Sequence, residues 1–378
     1  MRITFGCGVA ALTLVPPLLA PTAAQPPARD VEFDTTRTAD RRGERLPAGA
    51  VARVGERDPD GRQRGSYGLG FSPDGRLVAF VGPERDTHVW DVTTETEVHR
   101  LPHDNPANFP TNLDRRAFSA DGKLLFGDGG AVWDVKTGKR VERFGPFPKG
   151  GDRPLAFPTV APDGKTVAFV SEQHGSVASE IILYDVATRR ELRRFGKGTH
   201  VGGPLVFSPD GRTLAASKHA EPILVPLGGR KDRPRPAPED FGDVLLFDPA
   251  TGEKKAERLS KTYGGWWPFA FTPNGATLLM LDRHAIVPFN VTTREPGVPF
   301  GSGADLGAAL LPDGRAVVAA TAGGLAVWGT NGTDIARVDQ PQGTVYNVAL
   351  SPGGRWLATG STHGPVLIWD VAALRPAR

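Results

Sequence analysis

The chain has 378 residues, with 45 Lys plus Arg against 42 Asp plus Glu and a formal net charge of +3 at pH 7, so it carries no basic field of the size that holds nucleic acid. Its 47 Gly and 35 Pro fall at turns between short apolar runs, which is the pattern of an all-β protein and excludes a disordered one. The single cysteine, Cys7, lies in the N-terminal segment. If that segment is removed, disulfides, thiolate chemistry and Cys-bearing metal sites are excluded as well.

Residues 1–24 hold one Arg, an apolar stretch broken by Pro16-Pro17, and a small-residue end at Thr22-Ala23-Ala24. The apolar part is short for a membrane span of about 20 residues, so the segment reads as an export signal cleaved near Ala24. The expected location is periplasmic or extracellular, with no membrane span left after cleavage; the alternative is an uncleaved N-terminal anchor. Residues 25–45 are polar and aperiodic, which predicts a flexible leader.

From residue 46 to 378 one unit recurs. Turns of Pro/Asp/Gly type stand at 71–75 (FSPDG), 118–122 (FSADG), 161–164 (APDG), 207–211 (FSPDG), 271–275 (FTPNG), 311–314 (LPDG) and 350–354 (LSPGG). Some twenty residues after each comes an aromatic pair: Trp90-Asp91, Trp133-Asp134, Tyr184-Asp185, Phe247-Asp248, Phe289-Asn290, Trp328-Gly329 and Trp369-Asp370. Proline pre-sets φ, Asp tolerates the third position and Gly takes the left-handed conformation, so each turn joins two strands of a hairpin. The aromatic lies on a third apolar strand, where it packs between neighbouring units. A charged fourth strand follows in six units, as in residues 97–101 (EVHRL) and 191–195 (ELRRF). Charge there suits an exposed sheet edge.

A period of about 40–47 residues marks a four-stranded propeller blade. The predicted fold is therefore an all-β, seven-bladed β-propeller of four-stranded antiparallel blades. The chain stops soon after its last aromatic pair, and the missing fourth strand is found at the other end, as AVARV at 50–54. Pairing of that strand with the one around 366–371 closes the ring.

The units resemble WD40 repeats of the divergent bacterial kind that keep SPDG and the Trp-Asp pair. The resemblance covers about residues 46–378, with its strongest motifs in blades one, two, four and seven. The family's Gly-His pair ahead of the first strand is largely absent, Gly198-Thr199-His200 being the nearest approach. The resemblance implies a non-catalytic scaffold whose top face holds a protein or peptide.

Successive turns lie 39–47 residues apart except between Ser208 and Thr272, where residues 218–243 insert a loop between the second and third strands of blade four. Its Pro-Arg-Pro core predicts an exposed, extended segment.

No HExxH, metal-spaced Cys or His cluster, GxSxG elbow or phosphate loop occurs, so no catalytic residue, metal ligand or cofactor is expected. The nearest lookalike, GSTHG at 360–364, has Thr in place of the nucleophilic Ser. His174, His219, His284 and His363 fall between second and third strands of four blades. Tyr67, Arg85, Arg115, Arg116, Trp266, Trp267, Arg283 and Tyr346 are placed by the repeat on the same face. Aromatics and Arg dominate protein interfaces. The partner-binding candidates are thus Tyr67, Arg85, Arg116, His174, Trp266, Trp267, Arg283, Tyr346 and His363, on a monomer with a protein or peptide partner and no nucleic acid. The alternative is an exported propeller enzyme, a hydrolase or lyase with its site at the central channel.

Overall fold

A computed structural model of the chain describes residues 30–55, 66–82, 84–102, 116–145, 155–171, 179–218, 244–258, 267–282, 284–304, 307–339, 344–361 and 364–374. The described strands form seven four-stranded antiparallel sheets, which are the blades of a propeller. In six of them four consecutive strands pair in chain order, as in blade one (Tyr67–Phe71, Leu77–Val81, Thr87–Asp91, Thr96–Leu101).

Burial grades outward from the axis. The first strand of each blade is innermost; most are half-buried along part of their length, as in Val345–Leu350, while Val201–Phe207 of blade four is almost wholly buried. Second and third strands, such as Trp356–Ser361 and Val366–Asp370, are buried throughout because a neighbouring blade covers each face. In blades one to six the fourth strand is the most exposed, as Glu191–Phe195 is except at Phe195.

Each of the seven apolar clusters spans one seam between adjacent blades. The aromatic of every repeat packs back onto the preceding blade. Trp133 lies with Ala79, Val89 and Leu101 of blade one, and Tyr184 with Phe126, Val132 and Phe144 of blade two. All seven aromatics are 4 % exposed or less. Burial of each contributes about 1.5–3 kcal/mol, so the repeated aromatic is the cement of the ring.

Closure follows the predicted pairing. Ala50–Val54 runs antiparallel to Val366–Asp370, with Ala50 opposite Trp369, Ala52 opposite Ile368 and Val54 opposite Val366. Val51, Ala52 and Val54 also reach across the seam to Leu69, Val78, Phe80 and Trp90 of blade one. The closing strand is therefore both the edge of blade seven and part of the last interface.

Residues 30–45, expected as part of a flexible leader, instead lie against the ring. Trp356 Nε1 donates to the carbonyl of Val31 at 2.7 Å, and the Phe33 ring meets Trp356 edge-on at 4.6 Å. Arg37 pairs with Glu95 of blade one at 2.5 Å, and the buried Arg53 of the closing strand pairs with Asp40 at 2.9 Å. The polar composition that looked like a leader thus serves ion pairs to two blades. Aperiodic sequence does not reveal such contacts, because their partners lie elsewhere in the chain.

The turn chemistry is regular. In six blades the Asp or Asn of the turn accepts the amide two residues on, from Arg76 to Asp74 (3.0 Å) through Ala276 to Asn274 (3.1 Å) to Arg315 to Asp313 (2.9 Å). The carboxylates after the aromatics close the next turn. Asp134 Oδ1 accepts the Thr137 amide (2.7 Å) and hydroxyl (2.8 Å), and Asp185 does the same with Thr188. The Thr137 hydroxyl and then its amide hold Asp134 below the usual carboxylate range, and the Thr188 amide and hydroxyl do so for Asp185.

Two outcomes are expected. Val54→Asp puts an unpaired carboxylate into a seam that is 0 % exposed and lowers stability by more than about 2 kcal/mol, whereas Val98→Asp, on the exposed fourth strand of blade one, changes it by less than about 0.5 kcal/mol. Thermal melts of the two variants test this. Because the folded-state pKa of Asp134 and Asp185 is depressed, their contribution is present above the ordinary value of 3.8 and is lost as pH falls through the folded one. Asp134→Asn and Asp185→Asn, which keep an acceptor as Asn290 does for Thr292 and Thr293, should flatten the fall of Tm with pH below about pH 4. A fall as steep as in the parent protein counts against this.

Candidate interaction surface at the channel mouth

The first strands enclose an axial cavity of about 400 Å³ to which all seven blades contribute. Its wall includes Leu69, Pro158, Pro204, Trp267, Phe269, Leu310 and Val348. The shape of this wall comes from irregular pairing. The register of the first strand slips between Tyr67 and Gly70, Ala156 and Thr159, Gly202 and Leu205, Pro268 and Ala270, and Val345 and Asn347. A bulge turns side chains away from the sheet and breaks the ladder locally, so Pro158, Pro204 and Pro268 sit where their missing N–H is not needed. Phe157, within one of these bulges, is buried at φ 56.

At the end of the first strands opposite the Pro/Asp/Gly turns, Tyr67 and Tyr346 approach to 6.4 Å between ring centroids, at 35°. Both are half-buried. Burial, and then the neighbouring Tyr346, pushes the Tyr67 phenol up. It therefore stays a neutral donor at physiological pH. Trp267 is half-buried and lines the channel, with Phe269 two residues on in the same wall. Asn347 also lines the channel, and its buried Nδ2 has no hydrogen-bond partner among the described residues.

The sequence-predicted residues divide into four groups. Tyr67, Tyr346 and Trp267 lie along the upper ends of inner strands, as expected. Arg85 is half-buried in the turn between the second and third strands of blade one, at φ 77, with its amide bonded to the Gly82 carbonyl at 3.0 Å. Arg116 departs from the expectation of a surface contact. It is 4 % exposed and donates Nε to Thr87 Oγ1 at 3.0 Å, tying blade two to blade one inside the channel wall. The backbone there is close enough that a Cβ on Gly70 would sit 2.1 Å from the Arg116 carbonyl oxygen, which brings the arginine under the neighbouring strand. His174, Trp266, Arg283 and His363 lie outside the described residues, as do residues 219–243 of the expected insertion. His284 is exposed.

Sequence reasoning missed Phe269, Asn347 and the bulge prolines. The prolines carried a signal, since Pro inside an inner strand marks a bulge; Asn347 carried none. Among the described residues no group of three His, Cys, Asp or Glu is placed to hold a metal ion, and no helix is long and apolar enough to cross a membrane. The mouth offers aromatic faces, phenols and a wall of mixed polarity.

Residues 332–370 match the family described as WD domain, G-beta repeat. The match begins just before the fourth strand of blade six, Asp334–Asp339, and ends with the third strand of blade seven, Val366–Asp370. A repeat of this kind straddles two blades. That offset is the reason a lone fourth strand is left over at the N-terminal end. No curated protein matches the chain.

Proposed function

The chain is a WD40-repeat propeller, a fold commonly used as a protein-interaction scaffold, and from that premise we propose that it is a non-catalytic monomer that holds a protein or peptide at the channel mouth. The observation that carries this reading is the set of half-buried aromatics, Tyr67, Tyr346 and Trp267, on the inner strands at the axial channel. Residues of this type give large contact area at little entropic cost, and they stand on strands held rigid by burial of their neighbours. An extended segment entering the mouth meets the phenols of Tyr67 and Tyr346 on its polar edge and Trp267 on its apolar one. Arg116 braces the wall from inside, through Thr87. We read residues 1–24 as an export signal, which supports a periplasmic or extracellular location, and that part of the proposal rests on the sequence alone.

Crosslinking the protein in its own cells and identifying what comes with it gives the partner. Trp267→Ala and Tyr346→Ala should then each cut recovery of that partner at least tenfold while changing Tm by less than about 3 °C. Undiminished recovery from both variants places the partner elsewhere. N-terminal sequencing of the protein from those cells should read from Gln25; a start at Met1 removes the export reading.

A further inference from the structure

The turn of blade seven lacks its acceptor. Where the other six repeats have Asp or Asn, this one has Gly353. In blades one, two, four and five the side chain at this position accepts both the hydroxyl of the first turn residue and the amide two residues on, as Asp210 does from Ser208 Oγ (2.6 Å) and Arg212 N (3.0 Å). In blade seven the same two donors are present and both are satisfied by Asp30. Ser351 Oγ reaches Asp30 Oδ2 at 2.8 Å, Arg355 N reaches it at 2.9 Å, and Gly353 N adds a bond to Oδ1 at 3.0 Å.

Neighbouring contacts hold the carboxylate in that place. Glu32 pairs with Arg355, whose guanidinium lies 4.6 Å from the centroid of the Trp356 ring, and Val31 and Phe33 engage Trp356 itself. Asp30 also fills the seam between blades. Elsewhere the left-handed Gly of one turn faces the second residue of the preceding turn, Gly122 facing Pro73, Gly211 facing Pro162 and Gly354 facing Pro312. For Gly75 of blade one the group met is Asp30, with Oδ1 2.9 Å from where a Cβ would stand.

We propose that Asp30 is the displaced turn residue of the seventh repeat, so that residues 30–33 form a strap whose carboxylate completes the base of the last blade and latches it to the first. Gly353 has an ordinary backbone conformation, so its lack of a side chain is explained by Asp30, whose Oδ2 lies 2.6 Å from a Cβ built there. Two carboxylates do not fit in one turn. A cut near Ala24 leaves the latch in place, whereas trimming beyond Asp30 removes the acceptor of three donors at once. The strap is thus a point at which proteolysis loosens the base of the last blade while the closing strand stays paired.

The test is a two-position cycle on the full chain. Asp30→Ala should lower Tm by at least about 3 °C, the scale of losing two or three net hydrogen bonds, and should speed hydrogen exchange at the Gly353 and Arg355 amides. Gly353→Asp should lower Tm in the parent protein by crowding Asp30 and raise it in the Asp30→Ala protein by restoring the repeat's own acceptor, with slow exchange returning at Arg355. Asp30→Asn keeps one acceptor oxygen for Ser351 and Arg355 but turns an amide donor toward the Gly353 N–H, so its Tm should fall between those of the parent and the alanine variant, and it serves if the alanine variant does not fold. The proposal is overturned if Gly353→Asp shifts Tm in the same direction in both backgrounds, or if Asp30→Ala leaves Tm and Arg355 exchange unchanged.

Discussion

The pairing of Ala50–Val54 with Val366–Asp370 is the constraint on which the ring depends. A propeller is stabilised by clusters between blades, and each blade contributes to two of them. One unclosed seam exposes the faces of both flanking blades and leaves Val366–Asp370 without a partner on one side. Closure is therefore worth more than five residues of ladder. It buries Val51, Ala52 and Val54, and with them Leu69, Val78 and Trp90 of blade one. The conformational cost of joining segments more than three hundred residues apart is offset there, because the loop-closure term grows only slowly with chain length.

The same ring geometry decides what the protein has to offer a partner. The two middle strands of each blade are consumed by packing, and the fourth strand carries charge that keeps its edge from recruiting other chains. Only the inner strands and the connections at their ends have side chains to spare. Five of those strands are bulged, with Phe269 and Tyr346 inside the slips, and on them Trp267 and Asn347 line the axis and Tyr67 stands close to Tyr346. Irregular pairing, a weakness in an isolated sheet, is tolerated because the strands behind it are buried on both faces.

Polar groups sort by the same logic. Arg116 brings its charge into the wall and bonds Thr87, and Arg53 enters the closing strand with Asp40 and Glu44 around it. Both show that an arginine in a repeat protein is as readily a brace between blades as a surface contact. The carboxylates after the aromatics are held by turn amides and hydroxyls, as Asp134 and Asp185 are by Thr137 and Thr188.

The sequence by itself determined the number of blades, the role of the seven aromatics, the turn chemistry and the strand that closes the circle. These are legible because each rests on local rules repeated seven times: a turn needs Pro, Asp and Gly at fixed places, and a seam needs a large apolar side chain at a fixed strand position. Tertiary structure alone decided that residues 30–45 pack on the ring, that Arg116 points inward, that Phe269 and Asn347 join the channel, and that Asp30 serves a turn at residue 353. Each of those depends on one contact between distant segments, made once, and a contact made once leaves no period in the chain to read.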